Sequence, residues 1–237
     1  IIVSFLSHKL NIQGCSQLTV NEYLIDLRCF FRYIISKRTG VPEKQADILT
    51  VDAAFADSVT MDEVYNYLLN LATKHQSKPT TRSRKLSTIR AFYKFHTTKS
   101  HQLSNNPAKD VDTPKKPSTL PIVMSLEESR MLLSSFDKTD PYYRRNFLIV
   151  LIFLNCGIRL SELVGINLTD IDSDMQRFTV RGKGNKTRSL YFNTVCRDAL
   201  VNYLLVRQTL ATSRGRSIKD KEALFLSTNG TRISQKT

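Results

Sequence analysis

Two short stretches carry side chains that could act on a phosphate. The first runs Asn155-Cys156-Gly157-Ile158-Arg159-Leu160-Ser161-Glu162-Leu163. The second runs Arg181-Gly182-Lys183-Gly184-Asn185-Lys186-Thr187-Arg188. An arginine at the mouth of a helix offers a planar fork matched to two phosphate oxygens, and the free N–H groups of the helix start add to it. A lysine at a hairpin tip offers a second fixed cation. Two such groups aimed at one point would stabilise charge growing on phosphorus, and one positioned donor of this kind is worth about 3–4 kcal/mol. Each residue also has a plainer reading. Arg159 could be ion-paired to Glu162 or another acid, and Lys183 could be an exposed turn lysine.

Other chemistries fit less well. A Walker A loop needs Gly, four residues, then Gly-Lys-Ser/Thr. Here Gly184 follows Lys183 and Arg177 stands at the first glycine position. Asp170, Asp172 and Asp174 lie close together, but three acids in one turn are usually only a turn, so no metal site is expected. Cys15, Cys29, Cys156 and Cys196 are far apart and form no Cys-x-x-Cys pair. Reduced thiols in a cytoplasmic protein are the expectation.

The elements that position Arg159 and Lys183 follow from periodicity. The apolar run Phe147, Leu148, Val150 to Leu154 predicts a helix from Tyr143 to Cys156 that is apolar almost all round and buried in a core. Gly157 breaks it, and a second short helix follows with Leu163, Val164 and Ile166 inward. Arg177–Val180 and Arg188–Phe192 predict two strands, and the Gly-x-Gly-Asn between them predicts a hairpin. Around this core, Ser125 opens a short helix, Asp140-Pro141 opens another, residues 195–212 form a helix, and Leu224–Leu226 form a short strand.

The first half reads differently. Val20, Tyr23, Leu24, Leu27, Phe30, Phe31 and Ile34 predict an amphipathic helix over 18–37, with Thr19 and Glu22 as its capping box. A second helix is predicted over 61–74, capped by Thr60 with Glu63. A third runs from Thr80 to Thr97, with Leu86, Ile89, Phe92, Tyr93 and Phe95 at helical spacing. Three prolines in Thr113–Pro121 then predict an extended strap. The expected organisation is a helical domain over 1–112, a linker over 113–121 and a mixed domain over 122–237.

The 237 residues carry a formal net charge of +14. Between Lys74 and Lys116 eleven basic residues face only Asp110 and Asp112. That imbalance favours a polyanionic partner, nucleic acid before an anionic membrane surface. The alternative is a solvated charged face. Lys78, Arg82, Arg84, Lys85, Arg90, Lys94, Lys115 and Lys116 are the expected contacts, joined in the second half by Lys186 and Arg188. No run approaches the 18 or so apolar residues of a spanning helix. Ile1–Leu10 lacks the cleavage site of a secretory signal.

At the two phosphate stretches the chain resembles the tyrosine recombinases, the phage-integrase and Xer-like site-specific recombinases. Cys156–Leu163 is similar to the family's first-arginine motif and Arg181–Arg188 to its β-hairpin lysine motif, while Leu18–Tyr23 and Thr81–Phe95 are similar to its core-binding domain. The resemblance implies a mainly α fold with a small β-sheet. A helical core-binding (SAM-like) domain and an α+β catalytic domain would form a C-shaped clamp on duplex DNA. It implies that Arg159 holds the scissile phosphate, that Lys183 protonates the leaving 5′-hydroxyl and that Glu162 supports them. It also implies a 3′-phosphotyrosyl intermediate formed without metal or cofactor, and a tetramer on DNA.

One departure matters. No histidine follows His101, and Tyr142, Tyr143, Tyr191 and Tyr203 do not fall where the family's nucleophile would. The His-x-x-Arg motif, the His or Trp after it and the nucleophilic tyrosine are therefore expected beyond residue 237. The chain, which lacks an initiator Met, is expected to bind DNA without cleaving it. The competing expectations are a non-catalytic DNA-binding relative or regulator and, on charge alone, an RNA-binding protein.

Overall fold

The computed structural model describes residues 1–115, 120, 122–212 and 217–236; of Lys183 and residues 210–212 only the backbone is described. The chain divides into two compact units, Ile1–Leu120 and Pro121–Thr237.

The first unit is helical. Helix α1 (Ile2–Ser7) continues into a π-helical turn over His8–Ile12. It is followed by α2 (Gln17–Thr39), α3 (Ala53–Asp57), α4 (Met61–Thr73) and α5 (Pro79–Thr98). Helix α2 starts one residue earlier than its pattern predicts, and its cap lies one turn earlier. Ser16, not Thr19, is the cap, and its Oγ accepts from the Thr19 N–H at 3.2 Å. Glu22 is thereby freed to approach Arg84 at 3.3 Å. The helix ends at Gly40, whose φ of 76° lies in the left-handed region. The predicted box on α4 is complete: the Glu63 N–H donates to Thr60 Oγ1 at 3.3 Å and the Thr60 N–H to Glu63 Oε2 at 2.9 Å.

Aromatic side chains fill the centre of this unit. Phe92 of α5 meets Phe5 of α1 and Phe31 of α2 edge-to-face, with centroids 5.6 and 5.5 Å apart. All three are fully buried, and each contributes roughly 1.5–3 kcal/mol through burial alone. The helix α1 carries too few residues to show a period, so sequence pattern registers it only as an apolar start.

The second unit contains α6 (Leu126–Ser134), α7 (Tyr143–Cys156), α8 (Leu160–Gly165), an antiparallel pair β1 (Arg177–Arg181) and β2 (Thr187–Tyr191), and α9 (Thr194–Thr212). Helix α7 buries Leu148, Leu151 and Ile152 in the same core as Leu200 and Tyr203 of α9. Its Leu154 stays exposed, so it is not buried all round. The register pairs Val180 with Arg188 and Arg181 with Thr187. Phe178 and Val180 point into the core, and Phe178 stacks on Phe192 at 4.3 Å.

Two expectations are corrected. Asp140-Pro141 does not open a helix: the Asp140 carboxylate accepts from the Tyr142 N–H at 2.8 Å, and α7 begins at Tyr143. Leu224–Leu226 is buried but is not a strand. Only isolated bridges flank it, Asn167 to Ala223 and Leu226 to Arg232. Phe225 O accepts from the Ile233 N–H at 3.0 Å, and guanidiniums take the carbonyls on either side of it. Arg145 donates to Leu226 O at 2.8 Å and Arg207 to Leu224 O at 3.0 Å. Arg232 donates to Val164 O at 3.0 Å and Ile166 O at 3.1 Å. Buried carbonyls must find donors, and arginines supply them where no strand lies alongside.

Candidate functional site

Gly157 adopts φ 56° and ends α7. The next residues run extended, so Ile158 turns inward to burial while Arg159, at φ −80° and ψ 152°, heads α8. Arginine has no acceptor with which to cap a helix. Glu162 completes the turn from the other side, its Oε2 accepting from the Arg159 N–H at 2.8 Å. The same carboxylate accepts from Arg159 Nη1 at 2.8 Å through Oε1. From β2, Arg188 adds a fork: Nη1 donates to Oε1 at 2.8 Å and Nη2 to Oε2 at 2.9 Å.

Glu162 therefore receives four hydrogen bonds and is 1% exposed, while the side chains of Arg159 and Arg188 are 65% and 40% exposed. Burial alone would push the carboxyl up. The Arg159 N–H and guanidinium, then Arg188, outweigh it and hold the group below the usual carboxylate range. The ion pair with Glu162 and an outward-facing guanidinium, which the sequence leaves as alternatives, are both present. Nη1 is committed, and the greater part of the side chain faces water.

The hairpin reaches this pair through Gly182. A Cβ there would lie 2.8 Å from Glu162 Oε1 and 3.8 Å from Arg159 Nη1, so only glycine lets the strand approach so closely. The Gly182 N–H donates to Lys186 O at 2.7 Å and closes the tip. Lys183 follows directly on a single 3-10 turn over Lys183–Asn185. The Lys183 side chain lies outside the described residues. Lys186 is exposed at the far side of the tip.

In the first unit the candidate contacts divide. Lys78, at the head of α5, Lys94 and, beyond the helix, Lys115 are exposed. Arg84 and Lys85 converge on Asp26 of α2, a carboxylate 1% exposed: Arg84 Nη1 donates to Oδ2, Lys85 Nζ to Oδ1 at 3.0 Å, and the Thr88 hydroxyl to Oδ2 at 3.0 Å. Arg82 is half-buried, and its Nε has no partner among the described residues. Arg90, expected on the basic face, is corrected. Its Nε donates to Ala108 O at 2.9 Å, Nη1 to Thr113 Oγ1 at 2.9 Å and Nη2 to Val111 O. It ties the segment after α5 back onto the helix. Lys116 lies outside the described residues.

Among the described residues no group of three or more His, Cys, Asp or Glu side chains could hold a metal ion. Asp172 is instead paired with Arg177 at 2.8 Å, and Asp170 accepts from the Asn167 N–H at 2.7 Å. No helix among them is long and apolar enough to cross a membrane.

Residues 2–100 match the family model for the phage integrase N-terminal SAM-like domain, and residues 123–237 match that of the phage integrase family. The tyrosine recombinase XerC of Myxococcus xanthus is 34% identical over 240 residues, which cover all of this chain and 73% of that relative. XerC of Caldanaerobacter subterraneus subsp. tengcongensis is 39% identical over 242 residues, all of this chain and 65% of the relative. The chain belongs to the phage integrase family of tyrosine recombinases.

This tyrosine recombinase chain thus spans about two thirds of the length of those two relatives. Its fold is similar to that of the Tn1549 transposon integrase in complex with a circular intermediate DNA, at 17% identity and a TM-score of 0.68, covering 98% of this chain and 73% of that one. It is also similar to the XerH site-specific recombinase bound to palindromic difH substrate, at 18% identity and a TM-score of 0.66, covering 94% and 61%. Two structural residues of the recombinase chain escape a reading of its sequence. Asp26 sits among apolar neighbours on a helical face, and that lone acid is the available signal. Gly182 looks like any turn glycine, and only the position of Glu162 explains it.

Proposed function

We propose that the protein of which this chain forms part is a site-specific DNA recombinase acting on duplex DNA. Arg159 holds the scissile phosphate, Glu162 orients it, and Lys183 gives its proton to the leaving 5′-oxygen. A tyrosine oxygen forms the new bond to phosphorus as the bond to the 5′-oxygen breaks. The 3′-phosphotyrosyl product is still a phosphodiester, so rejoining reverses the exchange without nucleotide or metal. The tyrosine, the His-x-x-Arg motif and the His or Trp after it belong to the part of the protein outside this sequence. Residues 1–112 form the core-binding domain, 113–121 the linker and 122–237 the start of the catalytic domain. Lys78, Lys94, Lys115, Lys116 and Lys186 contact the DNA backbone, with Arg82, Arg84 and Lys85 close to it. The whole protein works as a tetramer on DNA in the cytoplasm.

The observation that carries this reading is Arg159: a mostly exposed guanidinium on a rigid helix start, braced by a buried carboxylate, beside the base of the lysine hairpin. The test uses the full-length protein and a suicide duplex substrate. Arg159→Ala is expected to lose covalent complex at least 100-fold, the scale of one missing transition-state donor, while still shifting the duplex in a gel. Unchanged cleavage would overturn the assignment. Binding without cleavage in the unaltered protein would favour a non-catalytic relative, and preference for RNA would remove the reading altogether.

A further inference from the structure

The three side chains around the Glu162 carboxylate pose a charge problem. Arg159 and Glu162 alone, in contact at 2.8 Å, form a neutral pair. A phosphate approaching Arg159 would then meet a cation already cancelled by an anion beside it. The second arginine changes this. Arg188 grips both carboxylate oxygens at 2.8 and 2.9 Å, a two-point fork, whereas the Arg159 guanidinium touches only Oε1. Such forks are the stronger form of ion pair.

We propose that Arg188 is the charge-balancing partner of Glu162: it neutralises the carboxylate so that Arg159 stays positioned by Glu162 yet keeps its positive charge for a phosphate. Arg188 is then a positioning residue rather than the direct DNA contact that its place in the basic hairpin suggests. The three groups together carry a net charge of about +1, and that charge is displayed where exposure is greatest, at Arg159. Gly182 belongs to the same device, since a side chain at that position would push against Oε1 and displace both arginines. The inference rests on the phosphate-binding reading of Arg159.

The test is a charge-rescue series in this 237-residue chain. Arg188→Met leaves Glu162 to cancel Arg159. Binding to a duplex oligonucleotide of arbitrary sequence is expected to weaken roughly tenfold, the size of one charge-assisted hydrogen bond, and the slope of log K against log salt to fall by about 0.9. The double variant Arg188→Met with Glu162→Gln removes the anion as well and is expected to restore both. A direct contact by Arg188, or a merely structural role, predicts no rescue, and absence of rescue would overturn the proposal. Inorganic phosphate is the second probe, followed by NMR of the Arg159 side-chain resonances. It should perturb them in the parent and the double variant and leave them still in Arg188→Met. Equal perturbation in all three would also overturn it. A parent chain that responds to phosphate but not to the duplex would sink the recombinase reading and leave the charge balance standing.

Discussion

Each unit of the molecule contains a buried carboxylate that gathers two cations, and the two clusters put them to different use. Asp26 joins helix to helix: its partners Arg84, Lys85 and Thr88 all come from α5, and Lys85 is only 11% exposed. Glu162 joins a helix start to a hairpin, and its partners are Arg159 at 65% and Arg188 at 40% exposure. In the first cluster the Lys85 ammonium is used up inside, and only Arg84, at 47% exposure, keeps an open front. In the second the acid braces side chains whose remaining donors face water. The difference teaches that charge by itself does not mark a phosphate site. What marks it is a cation held from behind while its front is left open. A buried pair is weak evidence for stability in general, but removing one partner is costly because the other is stranded.

The comparison can be broken by mutation. Asp26→Ala strands Lys85 beneath the surface and is expected to cost about 3 kcal/mol in urea denaturation of the chain. Glu162→Gln is expected to cost clearly less, because both guanidiniums can turn to water. Equal losses would mean that the two clusters serve the same purpose. Next in size is Gly182→Ala. The added carbon must displace the Glu162 carboxylate from 2.8 Å, an overpacking cost of about 1–3 kcal/mol. Lower stability together with weaker phosphate binding is the expected result, and a neutral outcome would separate the hairpin base from the arginine site.

Much of this was legible in the sequence, for reasons that differ by element. The long helices announce themselves because Leu27, Phe30 and Ile34, or Leu86, Ile89 and Phe92, recur at the helical period. The Thr60–Glu63 box is readable because both partners lie within one turn. The Arg159 motif is readable for the same reason, its acid being three residues away. Contacts that are remote in the chain leave no local trace. Arg188 reaches Glu162 across 26 residues and Lys85 reaches Asp26 across 59. Arg90, which ties down the segment after α5, carries the same letter as an arginine meant for a phosphate. The Leu224–Leu226 run shows the converse. Its apolar pattern is that of a strand, but arginine side chains satisfy carbonyls that a neighbouring strand would otherwise take.

A fall in pH should separate the two units more gently. His96 in the first is fully buried, and burial pushes its imidazole down to about 4, well below its ordinary 6.5. It is neutral in the folded chain and binds a proton more readily when unfolded. Its contribution is therefore complete above about 6.5 and is lost as pH falls from there toward about 4. Glu162, held below the usual carboxylate range by Arg159 and Arg188, keeps its charge further into acid than an ordinary glutamate. Acid denaturation monitored by hydrogen exchange should accordingly loosen α5 before α8. His96→Gln, which keeps a polar side chain but cannot titrate, should flatten the early loss. Simultaneous loosening of both helices would argue that His96 is not the sensitive group.

The smallest expected effect tests the correction made to α5. Lys94 is exposed and Arg90 is spent on the main chain, so the two should behave oppositely although they lie one turn apart. Lys94→Gln is expected to change stability by less than about 0.5 kcal/mol and to lower the salt slope of duplex binding by about 0.9, as loss of one phosphate contact requires. Arg90→Gln is expected to leave the slope alone and to cost roughly 1–2 kcal/mol, since carbonyls at Ala108 and Val111 lose their donors. If instead Arg90→Gln lowers the slope and leaves stability untouched, its guanidinium reaches the phosphates after all. The distinction between cations held inside and cations held outward would then fail on the very helix where the sequence crowds them most densely.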